Sequence, residues 1–145
     1  MLLTTADAKT LAITGILLAF IDKFLGGFDL ILYTLVIFMA IDYITGLIVA
    51  GVFKNSKKTQ NGALESKAGF KGIVKKAMML VIVLISYHLD MLAETTVIRT
   101  AVIYALIFNE SISIIENIGL MGVPIPDALR KAIEMLKDKG DEYER

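Results

Sequence analysis

Apolar residues in this chain come in long runs, with the charges gathered between them. Leu30 to Phe53 is 24 residues with one charge, Asp42. At about 1.5 Å rise per residue, a helix of that length measures roughly 36 Å, against about 30 Å for a bilayer's hydrocarbon core. Ala77 to Leu89 holds 13 uncharged residues, and it extends to a span over 77–92 if Lys75 and Lys76 reach back to the lipid interface. Val97 to Leu120 is apolar in its first half and polar in its second. The run Leu11–Ile21 is uncharged, with Lys9, Asp22 and Lys23 near its ends. Taken as 8–25, it reads either as a short transmembrane helix or as an amphipathic helix lying in the interface.

The expected fold is therefore all-α: a multi-pass helical membrane protein with three or four transmembrane helices in a single membrane domain over 1–145. Helices are expected at 30–53, 77–92 and 97–120, with 8–25 as the optional fourth. Asp22-Lys-Phe-Leu-Gly-Gly-Phe-Asp29 reads as a tight hairpin with a Gly-Gly breaker. His88–Thr96 reads as a second turn, and Asn55–Gly62 as an irregular stretch. Pro124 and Pro126 end the last apolar helix, and Asp127 can cap a new one over 127–139. Leu129, Ile133 and Leu136 give that helix an apolar stripe. It is either a cytoplasmic helix docking on the membrane or on neighbouring copies, or a solubilising tail.

Composition strengthens the membrane reading. The chain is 56% hydrophobic over 145 residues, with mean hydropathy +0.69, above the roughly 45–50% of soluble domains. Fifteen basic and fifteen acidic residues cancel, which argues against nucleic acid as a partner. With no cysteine, disulfides, thiolate metal sites and cysteine nucleophiles are excluded. The start, Met1-Leu-Leu-Thr-Thr-Ala-Asp, lacks the basic region of a cleavable signal. Seven lysines (Lys54, Lys57, Lys58, Lys67, Lys71, Lys75 and Lys76) face one acid, Glu65, between Lys54 and Lys76. Short lysine-rich segments stay on the cytoplasmic side. This basic loop and the C-terminus are thus expected on the cytoplasmic side, with membrane lipid as the first partner.

Catalytic chemistry finds no support. His88 and Asp90 are close in sequence, but no nucleophile accompanies them. No metal motif, Walker A or dinucleotide fingerprint is present, so no enzyme activity and no cofactor are expected. Gly69-Phe-Lys-Gly72 imitates an RNA-binding GXXG loop, yet it lies beside a membrane span. What remains is polar residues inside spans. Asp42 at the middle of its span costs at least about 2.5–3.5 kcal/mol to insert. It is either a pore-facing or helix-pairing carboxylate, or a carboxyl kept protonated by burial. At about 100° per residue, Asn109, Glu110, Ser113, Glu116 and Asn117 share an arc of roughly 120°. Within the bilayer such a stripe must face partners or water; if the helix leaves the membrane near Phe108, it is a wet interfacial face. Gly46 with Ala50, and Ala8, Ala12, Gly15 and Ala19, are small-residue spacings that permit close helix packing.

The ordered set of elements resembles a known family. Asp42-Tyr-Ile-Thr-Gly46 lies in a span, followed by Ser66-Lys-Ala-Gly-Phe-Lys-Gly-Ile-Val-Lys-Lys76, then Arg99 and Tyr104. Asn109-Glu-Ser-Ile-Ser-Ile-Ile-Glu-Asn117, Gly122-Val-Pro-Ile-Pro126 and the Leu129–Glu134 helix complete it. Over residues 30–137 this is similar to the phage-lysis and toxin-secretion holins of Gram-positive bacteria and their phages. The resemblance implies a non-enzymatic homo-oligomer that opens timed lesions in the cytoplasmic membrane. An endolysin, or in some loci a toxin, then passes without being specifically bound. It adds Tyr43 and Thr45 to Asp42, Gly46 and the Asn109–Asn117 stripe as pore or assembly residues. Two other classes remain open: a small oligomeric ion channel or transporter subunit, and a membrane anchor or adaptor without a pore. Release of a folded cytosolic protein separates the first from a holin, and an intact membrane potential marks the second.

Overall fold

The computed structural model describes residues 5–59, 61–131 and 134–135. Among them the protein is all helix, with no strand. Helix α1 covers Thr5–Phe24, α2 Leu30–Ile48, α3 Ser66–Ala93 and α4 Val97–Leu120. Helix α2 runs on through a π-helical turn, Val49–Phe53, so the continuous helical rod is Leu30–Phe53. It stops at Lys54, which adopts the left-handed conformation (φ 50°). Two rods, Leu30–Phe53 and Val97–Leu120, are long and apolar enough to cross a membrane. Both coincide with the spans read from the hydropathy pattern.

Local chemistry explains the helix ends. Asp29 caps α2 by accepting the Leu32 N–H at 3.0 Å. The α1–α2 turn needs Gly26 at φ +80° and Gly27 at φ +95°. Gly26 also lies against the ring of Tyr87, only 2.4 Å from where a Cβ would stand, so no side chain fits there. Helix α3 ends at Glu94, also left-handed, at φ 52°. Pro124 and Pro126 follow α4, and a helical turn restarts at Asp127 over residues 127–131. Ile133 and Leu136, two of the three residues in the expected C-terminal stripe, lie outside the described residues.

The third helix differs from the expectation. It begins at Ser66, not near Ala77, so Lys67, Lys71, Lys75 and Lys76 are helical rather than parts of a loop. Lysines spaced at i and i+4 resemble loop composition, yet lysine is a good helix former. The irregular segment shrinks to roughly Lys54–Glu65. Asn55 ties it to the far end of α4, donating to the Leu120 carbonyl at 3.2 Å.

Helices α2, α3 and α4 pack together, α2 with α4 most extensively, while α1 makes little contact with the rest. The apolar core is short: Leu25, Leu32, Leu35, Met39, Val83 and Ile103. The partition is inverted relative to a water-soluble protein. Asp42, Asp90, Arg99, Glu110 and Asn117 are buried. Meanwhile Ile16 is 70% exposed, Leu30 78%, Ile44 54%, Ile85 50% and Tyr104 57%. Every helix thus presents large apolar side chains outward. Soluble monomers rarely carry more than a few hundred Å² of contiguous apolar surface. A helix surface of this kind is what hydrocarbon solvates.

Candidate functional site

Two groups of buried polar side chains lie at opposite ends of the short apolar core. At the end bearing the lysines, Asp42 projects from the middle of the α2 rod toward α3 and α4. Lys76 of α3 donates to Asp42 Oδ2 at 2.8 Å and also to Glu110 Oε2 of α4. Asn117, two turns further along α4, donates through Nδ2 to Asp42 Oδ1 at 3.1 Å and to Thr45 Oγ1 at 2.9 Å. The Thr45 hydroxyl in turn donates to the main-chain carbonyl of Asp42 at 3.0 Å. Gly46 lies against this contact: a Cβ there would stand 3.7 Å from Asn117 Nδ2, an ordinary van der Waals distance. Three helices are joined around one carboxylate. No buried side-chain polar atom among the described residues lacks a partner.

Beside this cluster opens a cavity of about 510 Å³ between α2, α3 and α4. Ser113, Glu116 and Asn109 line it along with Asp42, Glu110 and Lys76. Tyr43 lies where α2 meets α3: its ring comes within 3.4 Å of where a Cβ on Gly72 would stand, and its hydroxyl within 3.6 Å for Gly69. The glycine pair that imitates an RNA-binding loop therefore serves as a seat for a tyrosine. All nine candidate residues on α2 and α4 gather at this one place. Of the lysines, Lys58, Lys71 and Lys75 also line the cavity. Lys54 and Lys67 are exposed and lie outside it, while Lys57, also exposed, lines a smaller adjoining pocket. Lys75 is exposed, in keeping with an interfacial position. Lys76 does the opposite of reaching for the interface: its side chain is 14% exposed and turned onto two acids.

This arrangement lowers the cost of an intramembrane charge. An isolated carboxylate in hydrocarbon would be expelled or neutralised. Here one ammonium bridges two carboxylates, and an amide and a hydroxyl satisfy remaining lone pairs. No group of three metal-ligating side chains occurs among the described residues.

The second group was not found from sequence. Arg99, in the first turn of α4, reaches back to the α1–α2 turn. Its Nε donates to the Leu25 carbonyl at 2.7 Å, Nη1 to Asp29 at 2.7 Å and Nη2 to the Gly27 carbonyl at 2.8 Å. Asp90, from the end of α3, caps α4 across the turn, accepting the Ile98 N–H at 2.9 Å and the Arg99 N–H at 2.7 Å. Burial works against ionisation of Asp29, but the Arg99 hydrogen bond and the Leu32 N–H outweigh it, and its carboxyl is held below the ordinary range. The available signal was an arginine near the start of an apolar run, which demands an acceptor set somewhere.

A bacteriophage holin family model matches residues 19–138. An uncharacterised 14.9 kDa protein in the nagH 3' region of Clostridium perfringens is 40% identical over 116 residues, covering 79% of this chain and 82% of that protein. An uncharacterised protein of Listeria innocua is 40% identical over 122 residues, 83% and 81% of the two chains. A probable holin of Bacillus phage phi105 is 29% identical over 103 residues, 70% of each. No solved structure matches the chain.

Proposed function

The chain belongs to the bacteriophage holin family, and from that premise we propose that it acts as a holin. It accumulates as a homo-oligomer in the cytoplasmic membrane and then opens lesions wide enough for an endolysin or a secreted toxin. The observation that carries this reading is the inverted partition: apolar side chains outside, with Asp42, Lys76, Glu110 and Asn117 satisfied inside one chain. A chain of 145 residues is too small to enclose a wide pore alone. Copies must therefore associate, and the polar face that could line water is the one now closed on itself.

The proposed cycle follows from hydrogen-bond exchange. In the closed chain Lys76 and Asn117 occupy Asp42 and Glu110. In the open assembly these groups trade internal partners for water and for neighbouring copies, at little net cost because each remains solvated. Arg99, by contrast, keeps its partners throughout. The chain crosses the membrane four times, with the lysine end and the C-terminus in the cytoplasm. Helix α1, 20 residues long, is a rod of about 30 Å, which matches the hydrocarbon thickness.

Induced expression in bacteria tests this. The expected result is loss of membrane potential followed by release of a folded cytosolic enzyme, and lysis when a muralytic enzyme is supplied outside. Ion leakage with the enzyme retained would identify a narrow channel instead, and an undisturbed potential would identify an anchor. Topology is open to cysteine labelling, since the chain has none of its own. A single Thr5→Cys should be shielded from impermeant external reagents if four helices cross; ready labelling would mean three.

A further inference from the structure

We propose that the cavity at the lysine end binds the headgroup of a membrane phospholipid, specifically one carrying a hydrogen-bond donor beyond its phosphate. The proposal rests on the membrane disposition argued above and adds a ligand to it. The cavity's lining runs from Asp42, midway along the α2 rod, to Ser56 and Thr59, beyond the point where that rod ends. It therefore runs from the hydrocarbon level to the headgroup level. Its 510 Å³ falls in the range of small-molecule sites, about 300–1,000 Å³. Leu47, Ala50 and Leu64 supply apolar wall, suited to glycerol and the first acyl carbons.

The polar lining selects the ligand chemistry. Lys58, Lys71 and Lys75 bring ammonium groups to the cavity. The Lys58 ammonium folds back over α2, 4.0 Å from where a Cβ on Gly46 would stand. Lys71 and Lys75 make no salt bridge to a described carboxylate. These groups fit a phosphodiester. Glu65 and Glu116 also line the cavity. They would repel a bare anion, but they accept hydrogen bonds from an ammonium or hydroxyl on the far side of the phosphate. Phosphatidylethanolamine and phosphatidylglycerol carry such donors. Phosphatidylcholine has the same net charge as phosphatidylethanolamine but has no donor, so the pair separates recognition from bulk attraction to a basic surface.

The experiment reconstitutes the full chain in phosphatidylcholine vesicles, with spin-labelled phosphatidylethanolamine or phosphatidylcholine as the probe. Flotation with the vesicles first confirms membrane residence; failure to float would defeat the membrane reading itself, independently of the site. The expected result is an immobilised lipid fraction favouring phosphatidylethanolamine by roughly fivefold, about one net hydrogen bond. The preference should vanish in Lys58→Gln/Lys71→Gln/Lys75→Gln and survive in Lys54→Gln/Lys67→Gln/Lys131→Gln, which removes equal charge from exposed positions outside the cavity. Equal immobilisation of both lipids by the wild type would overturn the proposal. So would equal losses in the two triple variants, or displacement of the lipid by millimolar inorganic phosphate, which would point to a free-anion site.

Discussion

The two polar groups of this protein use the same kinds of side chain to different ends. At the turn end, Arg99 spends its guanidinium on two backbone carbonyls and Asp29, while Asp90 caps α4. Most of those partners are main-chain groups of the α1–α2 turn and of the first turn of α4. At the lysine end, Asp42, Lys76, Glu110, Thr45 and Asn117 satisfy mainly one another, and a cavity of about 510 Å³ opens beside them. Side chains paired with side chains next to a cavity can exchange partners; a guanidinium locked onto carbonyls cannot do so without undoing the turn. The comparison teaches that burial of charge alone does not mark a functional site. What distinguishes the lysine end is that its members have somewhere else to go.

That contrast can be broken by mutation. The largest expected effect is Arg99→Ala, which takes the donors from two backbone carbonyls and leaves the half-exposed Asp29 with the Leu32 N–H; the lost charge-assisted hydrogen bonds should cost about 2–4 kcal/mol. Thermal unfolding in detergent and steady-state membrane levels would report it. Arg99→Lys should rescue only part, since an ammonium cannot reproduce the planar fork. Lys76→Met is expected to cost less, about 1–3 kcal/mol, because the adjoining cavity lets water or protons reach Asp42 and Glu110. If Lys76→Met proves the more damaging of the two, the distinction between a locked and an exchangeable cluster is wrong. Asp90→Ala removes the cap on α4 and should cost about 1–2 kcal/mol, within the range of lost N-caps. Hydrogen exchange should show the change confined to the first turn of α4.

The smallest effect is acid sensitivity of the turn end. Folding lowers the Asp29 pKa, so its contribution is fully present above the unfolded value of about 3.9 and is lost as pH falls through the lower folded value. The Asp29 side chain is 46% exposed, so solvent screening keeps the effect small. Stability should therefore be flat in this respect from pH 5 to 8, by the order of the shift involved, and decline only below about pH 4. Asp29→Asn should remove that acid-side decline as seen in unfolding midpoints against pH.

How far the sequence could be read depended on whether a signal was local. Leu30–Phe53 and Val97–Leu120 were legible to the residue because their boundaries are changes in hydropathy along one strand of text. The Gly26-Gly27 turn was legible because only glycine tolerates its backbone. The polar arc on α4 followed from helical periodicity, and the structure joins Asn117 of that arc to Asp42 directly and Glu110 to it through Lys76. The start of α3 at Ser66 was hidden because lysine-rich helix and lysine-rich loop share a composition. The inward turn of Lys76 and the grip of Arg99 on the α1–α2 turn were hidden for another reason. Each depends on acceptors more than 30 residues away, and no pattern within one helix names a partner on another.

The proposed role of the lysine end is tested most directly by release timing. Bacteria expressing the wild-type chain, Asp42→Ala or Glu110→Ala at matched membrane levels would be followed for release of a folded cytosolic enzyme. The account predicts that both substitutions shift the moment of release substantially, because each changes what must be exchanged on opening. Wild-type timing in both variants would contradict it.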